Sequence, residues 1–225
     1  LSVLMMQNGA EMVDDRGRVV FNDIPSGTPR DVNPGLDAVR FYTDFANPTK
    51  EVYTWNTSQS SSLEAFVNGK AAMFLGYSYH LPIIRTLAPK LNVGAAALPQ
   101  ISVASDVQQV NFANYWAQGV SRDSQNSDYA WNFILYATDA KNVGTYLAEA
   151  GKPTALRSLI AGQLEDENLG VFVNQLLTAK TWYRGKDIDA TEAAMNQLID
   201  DMLAGTYEDP QDAIDTAAKV VRQTY

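Results

Sequence analysis

Four groups of aromatic side chains fall at predicted element ends or loops of this 225-residue chain: Tyr53 and Trp55; Tyr77 and Tyr79 with His80; Tyr115 and Trp116; and Trp182 and Tyr183 with Arg184. Planar hydrogen-bonding groups, Asn111, Asn114 and Arg184, accompany two of them. Flat rings receive the C–H faces of a ligand, and planar donors and acceptors receive its hydroxyl edges. The chemistry such residues serve is recognition without bond making. Tyr77, Tyr79, Trp182, Arg184, Trp116, Asn114 and Trp55 are therefore the candidate ligand contacts. Each has an ordinary alternative: an aromatic commonly packs in a core, and Arg184 could pair with Asp187 or Asp189 as readily as with hydroxyls.

Covalent chemistry finds little support. The adjacent acids Asp14/Asp15 and Asp200/Asp201 lie far in sequence from the aromatic groups, and neighbouring residues on a helix point apart. His80 is the single histidine, without a nucleophile elbow or metal-ligand spacing beside it, and a hydrogen-bonded structural role is its simpler reading. The chain contains no cysteine, which excludes disulfides and thiolate sites and leaves the compartment open. Neither a P-loop nor a dinucleotide fingerprint occurs, so no cofactor is expected.

The elements that must hold these residues can be read from periodicity and stop signals. The clearest is the run 62–79. Leu63, Phe66 and Val67 repeat at helical spacing after serines suited to cap the helix, and Gly69 can end it in the left-handed conformation. Residues 71–75 are then an apolar run of strand length, which places Gly76 to His80 at a strand's carboxyl end, where open α/β sheets bind ligands. Further strands are expected over 92–98 and 114–120, and a loop over 101–109. Helices are expected over 34–45, 82–89, 126–137, 141–150, 168–179, 190–203 and 209–224. Trp131, among apolar neighbours in mid-helix, is expected in the core. Strands interleaved with helices and followed by a helical tail indicate an α/β fold.

Composition fits a globular chain: 46% of residues are apolar and 19% charged. The net charge of −9, from 26 acidic and 17 basic residues with no basic run, argues against a nucleic-acid partner. No apolar stretch is long enough to span a bilayer. Residues 1–9 read as the end of a helix closed by Gly9, as though the sequence were cut from a longer one.

The run Ser62-Leu63-Glu64-Ala65-Phe66-Val67-Asn68-Gly69-Lys70-Ala71-Ala72-Met73-Phe74-Leu75-Gly76-Tyr77-Ser78-Tyr79 resembles the second-lobe signature of the extracellular carbohydrate-binding proteins of ABC importers, the maltose-binding protein family. Segments 92–100, 115–121, 128–134, 151–154 and 209–218 resemble further family motifs in the family's order. The resemblance implies a type II, two-lobed periplasmic-binding-protein-like fold, here mainly the second lobe with a helical tail and lacking most of the first. On the family's pattern, 1–109 belongs to the second lobe, 110–155 returns to the first and 156–225 goes back to the second. It implies capture of a mono- or oligosaccharide outside the cytoplasmic membrane, its delivery to the membrane subunits of an importer, and no chemistry on the ligand. A lipid anchor ahead of residue 1 is compatible with it. Alternatives are a polyol, sugar phosphate or polyamine as ligand, or a carbohydrate-active enzyme or accessory domain. A chain lacking one lobe is expected to self-associate through the apolar faces left bare.

Overall fold

The computed structural model describes residues 1–27, 29, 32–101 and 109–225. In chain order its helices are α1 (Ser2–Gln7), α2 (Pro34–Asp44), α3 (Ser62–Val67), α4 (His80–Leu87), α5 (Ser127–Ala137), α6 (Ala140–Ala150), α7 (Arg157–Leu164), α8 (Gly170–Asn174), α9 (Ile188–Ala204) and α10 (Pro210–Arg222). The described residues hold one sheet of two short strands, β1 (Asn111–Phe112) and β2 (Ala179–Lys180). Two compact units result. The first combines Leu1–Gln59, Gln100–Phe112 and Lys180–Tyr225; the second combines Ser60–Pro99 and Ala113–Ala179.

In the first unit, α10 buries Ala213, Ile214, Ala217, Ala218 and Val221, a one-face pattern of helical period. Against it pack Leu36 and Val39 of α2, Met195 and Leu198 of α9, Met5 of α1, and Val19 and Phe21 of the segment that follows the Asp14–Gly17 turn. Helix α2 starts where Asn33 caps it, Oδ1 accepting the Leu36 N–H at 3.1 Å, with Pro34 in its first turn. The helix then meets Phe21 so closely that a Cβ on Gly35 would strike the Phe21 carbonyl oxygen. Trp182 joins this core at 7% exposure, and its indole N–H has no hydrogen-bond acceptor among the described residues.

The second unit buries less. Ala65, Ile84, Leu147, Leu169 and Val173 are its buried apolar residues among those described. Helix α3 is capped by Ser61 Oγ, which accepts the Glu64 N–H, and ends at Gly69 with φ of +69°; α6 ends at Gly151 with φ of +60°. Both stops are those the sequence predicts. The strands are not. Residues 71–75, 92–98 and 114–120 run without ladder partners among the described residues, Met73 is 88% exposed, and the Leu98 N–H is taken by the Gln175 side chain at 3.0 Å. A strand exists only where a neighbour completes its ladder, and apolar runs alone do not supply one. The loop expected over 101–109 lies mostly outside the described residues, since 102–108 are not among them.

Trp131 is a second correction. Helix α5 forms as predicted but has no buried residue, and Trp131, Phe133, Leu135 and Tyr136 are exposed. Within the second unit, residues 60–99 close on the later segment through Arg85, which donates to Asn168 Oδ1 at 2.7 Å, and through the Leu98–Gln175 bond; α7 packs on α6 and α8. The entry to α8 is fixed by Asp166, whose Oδ1 accepts the Leu169 N–H at 2.7 Å and the Asn168 N–H at 2.8 Å. Those bonds, with Arg85 nearby, hold its carboxyl below the usual carboxylate range.

Two outcomes follow from this packing. Gly35→Ala should destabilise the protein by about 2 kcal/mol and lower its melting midpoint by about 4–8 °C, whereas Gly162→Ala, in mid-helix with nothing within 4 Å of the added Cβ, should leave it unchanged or raise it. Equal midpoints for both variants would remove the close α2–Phe21 contact from the account. For Asp166 the folded-state pKa lies below the unfolded one, so its contribution is fully present above the unfolded value of about 3.9 and is lost as pH falls through the lower folded value. The stability difference between the protein and Asp166→Asn should therefore be larger at neutral pH than at about pH 3, as denaturant titrations at the two pH values would read.

Candidate functional site

Helix α3 sends the chain through Gly69 into an extended stretch that brings Phe74 back over Phe66, ring centroids 5.9 Å apart. Phe74 then meets the edge of the His80 ring at 5.1 Å. Between them stands Gly76, where a Cβ would strike the Phe74 ring, so only glycine permits this approach. The turn Tyr77-Ser78-Tyr79 follows and α4 starts at His80. Tyr77 and Tyr79 lie on either side of a buried Ser78, and their rings stack at 5.6 Å with an interplanar angle of 17°. Tyr79 is also 4.3 Å from the His80 ring. The two tyrosines keep 37% and 42% of their surface exposed. The result is a ladder of rings with a half-buried apolar end at Phe66 and Phe74 and a more exposed end of two tyrosine rings.

Of the seven candidate residues, Tyr77 and Tyr79 stack on one another, Trp116 and Asn114 belong to the same unit, and Trp55, Trp182 and Arg184 belong to the first unit. Trp116, in the same unit, is 86% exposed, and Asn114 is exposed near it in sequence. In the first unit, Trp55 is half-buried and its backbone N–H donates to the Phe45 carbonyl at 3.1 Å. Trp182 is a core residue there. Arg184 makes an ion pair, but with Glu192 rather than Asp187 or Asp189: Nη1 donates to Oε1 at 2.7 Å. The reason is local. Asp187 is spent on capping α9, accepting the Ala190 N–H, and the first full turn of that helix carries Glu192 back toward the guanidinium. Asn111 is buried, with Oδ1 accepting from Gln100 Nε2 at 3.2 Å.

Sequence reasoning missed two features. Phe74 was read as one residue of an apolar strand, although its aromatic spacing to Phe66 and His80 is what builds the ladder. A groove of about 450 Å³ also opens in the second unit, lined by Ser78, Leu81 and Arg85 on one side and Glu149, Gln163 and Asp166 on the other. Three of its polar side chains are engaged: Arg85 with Asn168, Asp166 with two backbone N–H groups, and Gln163 with the Thr154 N–H and the Lys152 carbonyl. Nothing in residue type or spacing announced it, because its walls are more than sixty residues apart.

Comparison with known proteins gives the chain its relatives. It is 30% identical over 111 residues, 49% of this chain, to the multiple sugar-binding protein of Streptococcus mutans serotype c, and the match takes in 25% of that protein. Among solved structures, an ABC transporter solute-binding protein from Thermotoga lettingae, determined with α-D-tagatose bound, superposes with a TM-score of 0.70 at 18% identity, covering 99% of this chain and 55% of that one. The maltose-maltodextrin binding protein of Alicyclobacillus acidocaldarius gives a TM-score of 0.71 at 17% identity, covering 98% and 58%. The chain thus spans a quarter of the curated relative and a little over half of each structure. These structural likenesses show a shared fold, the two-lobed type II arrangement of periplasmic binding proteins, of which this chain is a part. Residues 2–166 match the sequence model of the bacterial extracellular solute-binding proteins, and the chain belongs to that family.

Proposed function

We propose that the whole protein captures a mono- or oligosaccharide outside the cytoplasmic membrane and passes it unaltered to the membrane subunits of an ABC importer. The observation that carries this reading is the exposed, stacked Tyr77–Tyr79 pair at the end of the ring ladder, in a chain of the solute-binding family. A pyranose offers axial C–H groups to such a face and hydroxyls to the phenols beside it. That the Streptococcus relative is called a multiple sugar-binding protein, and that the Thermotoga structure holds a ketose, supports sugar as the solute. Tyr77 and Tyr79 are the principal contacts in this proposal. Trp116, Asn114, Trp55 and Arg184 are proposed as secondary ones. Trp182 contributes by holding the core of the first unit, so its replacement reports on folding before it reports on a ligand.

The proposal extends to lobes and to association. Residues 1–109 and 156–225 are assigned to the second lobe and 110–155 to the first on the family's order of motifs. In the second unit, Met73, Leu75, Trp116, Phe133, Leu135 and Tyr136 expose large apolar surfaces, which in a chain of this length favour association between copies.

Tyr79→Ala should weaken binding of maltose or D-tagatose by about tenfold to a hundredfold while changing the melting midpoint little, as tryptophan-fluorescence titration and calorimetry would read. The sugar should be recovered chemically unaltered from the mixture. Unchanged affinity would remove the ring pair from the site, and hydrolysed or phosphorylated sugar would replace binding by catalysis. The chain alone should run in light scattering above its monomer mass of 24.7 kDa, and a strict monomer at all concentrations would contradict the association.

A further inference from the structure

His80 is the single histidine of the chain, and the ladder closes around it. The Phe74 ring meets it edge-on at 5.1 Å and the Tyr79 ring lies at 4.3 Å. Its Nδ1 is 3.0 Å from the Tyr77 backbone nitrogen and 3.2 Å from the Tyr77 carbonyl oxygen. An imidazole nitrogen cannot serve both at once. With the proton on Nε2, Nδ1 offers a lone pair and accepts the Tyr77 N–H; once the ring is a cation, Nδ1 can only donate, and the oxygen becomes its partner. A single proton therefore exchanges one bond to Tyr77 for another. Tyr77 N–H then loses this acceptor and faces a donor, which favours a turn of its peptide and a shift of the ring that residue carries.

We propose that His80 is the positioning residue of the Tyr77–Tyr79 ring pair, holding the rings stacked while the imidazole is neutral and releasing them when it is protonated. The consequence for ligand rests on the reading of that pair as the sugar-binding surface; the positioning itself does not. Among the described residues, the rings that face the imidazole are those of Tyr77, Tyr79 and Phe74, with Phe66 of α3 behind Phe74. The charged residue of α3, Glu64, is exposed, and Arg85 of α4 is bonded to Asn168. The carboxylates of the segments that share a groove with α4 are Glu149 and Asp166, the latter fixed by two backbone N–H groups. None of these forms an ion pair with His80 among the described residues.

Two replacements separate the role from simple packing. In His80→Asn the amide oxygen can stand near the position of Nδ1 and accept the Tyr77 N–H at every pH. His80→Phe keeps a ring between Phe74 and Tyr79 and has no acceptor. The first measurement needs no sugar: the Tyr77 amide and the Tyr77 and Tyr79 ring resonances should shift together with the His80 ring resonances as pH is lowered in the native chain and stay fixed in His80→Asn. The second uses maltose and D-tagatose as probes. Affinity should fall by roughly three- to tenfold as the imidazole resonances change in the native chain, stay level and near the neutral-pH native value in His80→Asn, and be low and level in His80→Phe. Tyr77 resonances that do not titrate, or that still titrate in His80→Asn, overturn the proposal. Resonances that titrate in a chain binding neither sugar support the positioning role and count against the sugar reading.

Discussion

Asn22 must satisfy several polar partners at once in the interior of the first unit, and the chain has to bring residues about 190 to 200 positions away to do so. Its carbonyl accepts from Asn33 Nδ2 at 3.0 Å and Gln211 Nε2 at 3.1 Å, its Oδ1 accepts from Arg222 Nη2 at 2.7 Å, and its Nδ2 donates to Asp215 Oδ1 at 2.8 Å. Arg222 also donates to the Val19 carbonyl through Nε and Nη2. A buried polar group left without partners costs about 1–3 kcal/mol, so the segment 19–22 and helix α10 are stable only together. With that constraint met, the apolar stripe of α10 closes on α2 and α9, and the start of α2 is set by the same Asn33 that bonds to Asn22. The apolar contacts supply most of the stability of this unit. The polar network specifies which surfaces make them.

The second unit is organised on another principle. Few of its residues are buried, and its order comes from caps, glycine stops and the ring ladder from Phe66 to Tyr77. Rings that stack and meet edge-on hold geometry with little enclosed volume. The open end of such a ladder is suited to a ligand that brings its own apolar face, and the same scarcity of burial leaves α5 and Met73 uncovered. The recognition and the association proposed above would both draw on one property of this unit, apolar surface that the chain itself does not bury.

Helices were legible in the sequence because their signals are local. Asn33 with Pro34, Ser61, Gly69, Gly151 and Asp209 with Pro210 each fix an end within a few residues, and each does so in the structure. The three expected strands depended on partners that no local signal guarantees, and none of them forms a ladder among the described residues. Burial was the least legible quantity. Trp131, among apolar neighbours, reads as core and Trp182, between Thr181 and Tyr183, as a ligand contact, yet the first is exposed on α5 and the second lies in the core with residues of α9 and α10. The pairing of Tyr77 with Tyr79 was readable as a spacing, and its stacking required the turn before α4. Arg184 finds Glu192 instead of nearer acids because helix capping had already taken Asp187.

The central claim is that the open end of the ring ladder is the surface that takes the sugar. Mapping amide and aromatic-ring chemical shifts during titration with maltose and with D-tagatose tests it most directly. The account predicts that the largest changes fall at Tyr77, Tyr79 and their neighbours from Phe74 to His80, with ring-current shifts on the sugar C–H protons. Saturable changes confined to other residues, such as those lining the groove between Arg85 and Asp166, would contradict it.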